Sequence, residues 1–299
     1  MDIKAGFVSL IGRPNVGKST IINMLVGEKI SITSEKPQTT RQNIRGIYND
    51  ESTQIVFVDT PGIQIPRNKL SEYMLSQSKS ASSDVDIIVI VVDGEHSDNS
   101  LKTKFADNLK QNAQAKFLVI NKIDKISNEE ILNQIDFYSK LNLFDEIIPL
   151  SALKGTNKTE LLNTIKSYLN YSYKFYPDNM VTDRSNYNLI SEIIREKLLR
   201  YLDKEVPHGI AVQIEKITDD KEKNIIHISA TIFCEKESHK KIIIGKDGKK
   251  IKGIGKAARK ELEKIYGCKI YLETWVKVKT NWRNNSRLIQ NMGFDLNNL

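Results

Sequence analysis

After Ile11 the chain reads Gly12-Arg13-Pro14-Asn15-Val16-Gly17-Lys18-Ser19, which fits the pattern G-x4-G-K-[ST]. Glycines at the two ends let the backbone curl until its N–H groups face phosphate oxygens. Lys18 supplies positive charge to β- and γ-phosphates, and Ser19 supplies a hydroxyl to Mg2+. The helix that follows turns its positive end to the same place. The candidate contacts are Gly12, Asn15, Val16, Gly17, Lys18, Ser19 and Thr20. This is the signature of a nucleotide site.

Asn121-Lys122-Ile123-Asp124 follows an apolar, strand-like run further along. A carboxylate at Asp124 can accept two hydrogen bonds from the N1–H and the 2-amino group of guanine. Adenine lacks that donor pair and would leave the carboxylate unpaired, which is costly in a buried site. The stem of Lys122 can cover the base, Asn121 can brace neighbouring loops, and Ser151-Ala152 presents backbone N–H groups to the guanine O6.

Between these segments lies Asp59-Thr60-Pro61-Gly62, placed so that Asp59 holds Mg2+ through water and the Gly62 N–H senses a γ-phosphate. A Thr hydroxyl in the polar loop Pro37-Gln38-Thr39-Thr40-Arg41 can complete the magnesium shell while γ-phosphate is bound. Its release would be an order–disorder switch. Many GTPases orient the attacking water with a Gln directly after D-x-x-G. Here that position is Ile63, which cannot do so, and Gln64 comes one residue late.

Lys240–Lys260 carries nine Lys or Arg and a single Asp, and it encloses Ile244-Gly245-Lys246-Asp247-Gly248-Lys249-Lys250. A G-x-x-G between two helices lets the backbone approach a sugar-phosphate chain. Lys246, Lys249 and Lys250 add charge, and Ile244 can contact splayed bases. KH domains grip about four single-stranded nucleotides in this way. Asp247 opposes phosphate unless it points outward. Trp275 and Trp282 are expected to pack in the core or to cap a sheet edge rather than to stack on bases.

Two different scaffolds must position these groups. The first 170 residues alternate Val/Ile-rich runs with amphipathic stretches, so the expected fold is α/β with a doubly wound, mostly parallel sheet. The strands are Gly6–Ile11, Ile44–Tyr48, Gln54–Asp59, Asp86–Asp93, Lys116–Asn121 and Glu146–Leu150. The second and third are too close in sequence for a crossover and should form a hairpin. Helices are expected over Lys18–Val26, Lys69–Ser80, Ser100–Gln111, Asn128–Leu141 and Lys158–Leu169. Residues 171–188 read as a linker that packs, and residues 189–299 as a smaller α+β domain. In that domain a helix and two strands precede the G-x-x-G, as in the type II KH arrangement. A final helix is expected over Trp282–Met292, covering the sheet.

The chain has 299 residues, two cysteines and four histidines, which argues against a disulfide framework and against a zinc site. No apolar run reaches transmembrane length, and Met1-Asp2-Ile3-Lys4 does not begin a signal peptide, so the cytoplasm is the expected location. Residues 1–170 carry 20 basic and 20 acidic side chains, whereas residues 171–299 carry 25 and 17. All of the net charge of +8 therefore lies in the second part, which points to a polyanionic partner.

Taken in order, G-x4-G-K-S, T-T-R, D-T-P-G, N-K-x-D and S-A resemble the translation-factor-related GTPases. With the C-terminal domain, the whole chain resembles the bacterial Era family. The resemblance maps family positions onto Asn15, Lys18, Ser19, Thr40, Asp59, Gly62, Asn121, Asp124, Ser151 and Ala152. It implies GTP hydrolysis with Mg2+ at Ser19, Thr40 and Asp59, and catalytic parts for Asn15, Lys18, Thr40 and Gly62. Related GTPases with an apolar residue after D-x-x-G use K+ held partly by the phosphate-loop Asn, here Asn15. The resemblance further implies partners: GTP and GDP, the 3′ region of 16S ribosomal RNA held by Ile244, Gly245, Lys246, Gly248, Lys249 and Lys250, and the 30S subunit during its maturation. The rival reading of the basic domain is a membrane-surface GTPase, peripheral at the inner face of the cell membrane.

Overall fold

The computed structural model describes residues 3–81, 85–95, 115–203 and 206–294, and these form two compact units. The first takes residues up to 33, 40–65 and 74–183; the second takes 34–39, 66–73 and everything from 184.

The first unit is a sheet of β1 (Ile3–Ile11), β2 (Ile44–Asn49), β3 (Thr53–Asp59), β4 (Ile87–Asp93), β5 (Ala115–Asn121), β6 (Glu146–Leu150) and the short β7 (Tyr171–Ser172). Its order is β2-β3-β1-β4-β5-β6. β1, β3, β4, β5 and β6 run parallel. β2 and β3 form the expected antiparallel hairpin, with Ile44 opposite Asp59 and Asn49 opposite Gln54. β4 shows why these strands read as unbroken apolar runs. Ile87, Val89 and Val91 enter the core on one sheet face, while Ile88, Ile90 and Val92 enter the core on the other. The helices α1 (Lys18–Val26), α3 (Asn128–Ser139) and α4 (Lys158–Tyr168) cover those faces, and α2 (Lys69–Ser80) follows β3 in the chain. α1 and α4 supply Ile21, Ile22, Leu161 and Ile165 to one core, and α3 supplies Tyr138 to the other. A capping box starts α3: the Ser127 Oγ accepts from Glu130 N at 3.2 Å, and Ser127 N donates to Glu130 Oε2 at 2.8 Å. The helix expected over Ser100–Gln111 lies outside the described residues.

The stretch read as a linker is fastened to the first sheet. β7 pairs antiparallel with Ile3 and Lys4 on the edge of β1 that β4, joining only at Val8, leaves open. The Gln54 side chain then clamps the strap, donating to Tyr176 O at 2.8 Å and accepting from Phe175 N at 2.6 Å. Thr182 bridges Gly46.

In the second unit α5 (Asn186–Tyr201) is followed by β8 (Ala211–Asp220), β9 (Ile225–Cys234), α6 (Glu237–Ile244), α7 (Lys249–Tyr266) and β10 (Lys269–Val278). The sheet order is β10-β9-β8, with β10 parallel and β8 antiparallel to the central β9. α7 buries Ile254, Ala258 and Leu262, one stripe at helical spacing, and turns its lysines outward. The C-terminal segment differs from the single helix expected there. Trp282–Asn284 is one 3-10 turn, and a separate helix, α8 (Ser286–Asn291), begins after it. Trp282 is fully buried and its indole N–H donates to Gly209 O at 2.9 Å. The Asn285 side chain caps the new helix by accepting from Leu288 N at 3.1 Å, so the chain turns before it can continue as one helix. Trp275, in contrast, is not a core residue: 47% of it is exposed.

Candidate functional site

The nucleotide-site candidates sit where strands end. Gly12 follows β1, Asp59 ends β3, Asn121 ends β5 and Ser151 follows β6. In parallel register Asp93, Asn121 and Leu150 stand side by side, so three loops emerge at one edge. The chain order reverses next to β1, and open α/β sheets place ligands at that crevice.

The phosphate loop is wound before any ligand is considered. Gly17 has φ 100°, and a Cβ there would lie 2.2 Å from the Asn121 Nδ2, so only glycine fits. Asn15 is also held at positive φ, 66°. Gly17 offers no side-chain cap to α1, which leaves the first N–H groups of Lys18, Ser19 and Thr20 to an anion. Lys18 is buried, and its Nζ donates to Gly12 O at 3.1 Å and Arg13 O at 3.0 Å. Burial lowers its pKa to about 8, against the pull of the Asp59 charge.

Three oxygen-bearing side chains, from α1, the end of β3 and the loop before β2, meet beside it. The Ser19 Oγ donates to Asp59 Oδ2 at 2.7 Å and lies 3.0 Å from the Thr40 Oγ1, which donates to the same Oδ2 at 3.3 Å. The other oxygen, Asp59 Oδ1, is buried with no hydrogen-bond partner. Burial raises the pKa of this carboxyl, with Ser19 and Lys18 working in the opposite direction. A hard divalent cation that prefers oxygen, such as Mg2+, fits this donor set and would satisfy the orphaned oxygen. The segment after Asp59 is tied back: Thr60 Oγ1 donates to Leu10 O at 2.7 Å, and Ile63 N to Gly12 O at 3.1 Å. Gly62 lies against Pro14 of the phosphate loop. Ile63 packs on the core made with β4 and β5. The Gln64 Nε2 is buried without a partner.

The base-recognition residues are joined to the phosphate loop by one side chain. Asn121 donates from Nδ2 to Val16 O at 2.8 Å, and its Oδ1 accepts from Ala152 N at 3.0 Å. Asp124 Oδ1 accepts from the Ser151 Oγ at 2.5 Å. Lys122, at φ 67°, pairs with Asp93 Oδ2 at 2.5 Å. Asp93 is the site neighbour that motif reading passed over. Its only sequence signal was a carboxylate ending an otherwise apolar strand.

The second unit carries the other candidate surface. Gly245 has φ 71°, and a Cβ on it would lie 2.7 Å from the Lys250 Cβ, so the turn into α7 needs glycine. Ile243 is in the core, Ile244 is half-buried, and Ile242 is 43% exposed. Lys246 and Lys249 are exposed and Lys250 is half-buried. None of the three has an ion pair among the described residues, whereas Arg259 lies 3.8 Å from Glu263. Asp247 is exposed, with φ 53°.

Comparison with known proteins matches two stretches of the chain to known families. The family described as 50S ribosome-binding GTPase matches residues 7–122, and the KH domain family matches residues 205–283. The GTPase Era of Clostridioides difficile (strain 630) is 49% identical over 98% of this chain and 99% of its own length. That of Alkaliphilus metalliredigens is 48% identical over 99% of this chain and 100% of its own. A crystal structure of Era in complex with MgGDPNP and nucleotides 1506–1542 of 16S ribosomal RNA superposes with a TM-score of 0.94. It is 40% identical and covers 98% of this chain and 100% of that one. An Aquifex aeolicus Era variant bound to GDP·AlF4− gives a TM-score of 0.92 at 39% identity, over 98% of this chain and 100% of that one.

Proposed function

This chain belongs to the Era family of GTPases, and on that premise we propose that it hydrolyses GTP and holds the 3′ region of 16S ribosomal RNA as a nucleotide-gated maturation factor of the 30S subunit. The observation that carries the reading is the meeting of Lys18, Ser19, Thr40, Asp59, Asn121 and Asp124 at one sheet edge, in a chain whose other unit presents a basic G-x-x-G loop.

Each residue has a task that its position supports. Gly12, Asn15, Val16, Gly17, Lys18 and Thr20 wrap the phosphates. Asp124 accepts the guanine N1–H and 2-amino group, with Ser151 holding the carboxylate in place. Asn121 locks the Ala152 and Val16 loops together, so that base and phosphates are gripped by one frame. Ser19, Thr40 and Asp59 would hold Mg2+, which supplies charge neutralisation between the β- and γ-phosphates. Thr40 and Gly62 report the γ-phosphate. Ile63 cannot orient the attacking water, so turnover depends on charge stabilisation, with Asn15 holding K+. GTP hydrolysis measured in K+ and in Na+ tests that assignment: a clear rate advantage in K+ supports it, and equal rates remove it.

Ile244, Gly245, Lys246, Gly248, Lys249 and Lys250 form the RNA grip. The deciding experiment measures affinity for a single strand copying the 16S 3′ end, at fixed salt, with the chain loaded with a GTP analogue and then with GDP. Stronger, sequence-dependent binding in the GTP-like state is the expected result. Equal, sequence-blind binding in both states, together with binding to anionic liposomes, would favour the membrane-surface reading. No helix among the described residues is long and apolar enough to cross a membrane, and we place the protein in the cytoplasm.

A further inference from the structure

The face of the second sheet opposite its helices is buried around Thr231 and Phe233 but presents aromatic rings to water along β10. Ile270, Leu272, Val276 and Val278 of β10 and Ile228, Ala230, Ile232 and Cys234 of β9 belong to the helix-covered core. Period-two alternation therefore sends Tyr271, Glu273, Trp275 and Lys277 to the opposite face. Tyr271 is 53% exposed and Trp275 47%. Beside them on β9 stands His227, whose ring lies 5.3 Å from that of Tyr271, while Thr231, in register with Trp275, is buried. Exposed lysines share this side of the sheet: Lys269 and Lys277 on β10, Lys279 just after it, and Lys216 on β8 in register through Ser229 with Glu273. The acidic neighbours are Glu273, which accepts from the Tyr271 hydroxyl at 3.3 Å, Asp220, in register through Ile225 with Lys269, and Glu215 at the bulge of β8.

We propose that this face is a second single-stranded RNA surface, on which bases flanking the segment gripped by G-x-x-G stack on Trp275 and Tyr271. Three observations favour RNA over another occupant. A flat aromatic ring accepts any base by its π-face, and neighbouring lysines suit the phosphates between bases. The face mixes these rings with Lys, His, Ser and Thr side chains, whereas a stable protein-binding patch has an apolar, charge-depleted centre. The face also continues from the first surface. α6 and α7, which flank the G-x-x-G, both pack on β10, and β10 is an edge strand. A strand leaving the loop needs to pass only that edge to reach Trp275. The proposal rests on the RNA reading above, and the experiment separates the two.

The chain contains two tryptophans, and Trp282 is fully buried, so Trp275 is the one that RNA can quench. The full-length protein, loaded with a GTP analogue, would be titrated with a twelve-nucleotide strand copying the 16S 3′ end and with its four-nucleotide truncation. In the wild type the longer strand should quench tryptophan emission and the shorter should not. Trp275→Ala should weaken the longer strand about tenfold and leave the shorter unchanged, with the melting temperature and GTP turnover intact. Trp275→Phe, which keeps a stacking ring, should recover most of the affinity. Replacing Lys246, Lys249 and Lys250 by Glu should weaken both strands. Unchanged twelve-nucleotide binding in Trp275→Ala, with both strands lost in the lysine variant, overturns this surface and leaves the G-x-x-G reading standing. No binding of either strand by the wild type removes both. A change in oligomeric state alone assigns the face to a second copy and overturns the proposal.

Discussion

The proposed nucleotide site and the G-x-x-G loop hold their charged groups in opposite ways. In the first, Lys18, Asn121, Lys122 and Asp124 are each held by another part of the same unit, at 2.5 to 3.1 Å. In the second, Lys246 and Lys249 face water without an ion pair among the described residues. The difference follows from what must be told apart. Guanine is distinguished from adenine by two hydrogen bonds, which discriminate best when the receiving carboxylate is already aimed, as the Ser151 hydroxyl aims the exposed Asp124. A sugar-phosphate chain offers the same charge at every step. On the proposed reading, exposed ammonium groups around a close-approach glycine serve it well, at the cost of strong salt dependence.

The largest effect should come from removing the aimed carboxylate. Asp124→Ala is expected to lower GTP affinity about a thousandfold and to abolish the preference over ATP, since two charge-assisted hydrogen bonds are lost. Titration with both nucleotides checks this, and a retained GTP preference would mean that Asp124 does not read the base. Next, the same substitution can be made in each region. Gly17→Ala forces a Cβ against the Asn121 Nδ2 and should cost about 1–3 kcal/mol of stability together with nucleotide binding. Gly245→Ala meets the Lys250 Cβ at 2.7 Å and should lower RNA affinity while leaving GTP binding alone. Thermal melts with and without each ligand would expose any crossover. Replacing Lys246, Lys249 and Lys250 by Glu should reduce RNA affinity roughly tenfold or more and flatten the slope of log K against log salt by about 2. An unchanged slope would show that these lysines do not meet phosphate. The smallest effect is expected from Asp247→Asn, which removes the one carboxylate of the loop and should tighten RNA about twofold, most clearly at low salt.

Some of this molecule was legible in the residues themselves. The unbroken apolar run of β4 implied burial on both faces, and its alternate residues do enter two separate cores. The few polar residues between β2 and β3 required a hairpin, and the pairing of Ile44 with Asp59 is that hairpin. Other features could not be read. Of the two tryptophans expected in the core or at a sheet edge, Trp282 is in the core and Trp275 stands half-exposed on the edge strand β10, because a strand alternation says which residues share a face but not which face helices cover. The single C-terminal helix was equally out of reach, since the bond between the Trp282 indole and Gly209 joins residues far apart in the chain.

What the sequence determined by itself was therefore local: the wound G-x4-G-K-S loop, the G-x-x-G between helices, the period of each strand, and the charge imbalance between the two parts. Each depends on backbone freedom, side-chain type and spacing within a few residues. The tertiary structure alone decided how those pieces meet. It set Asn121 between Val16 and Ala152, left the Asp59 Oδ1 buried and unpaired beside Ser19 and Thr40, and turned Trp275 to water. These are outcomes of sheet order and long-range packing, in which the partner of a residue is chosen by a distant part of the chain that no local pattern encodes.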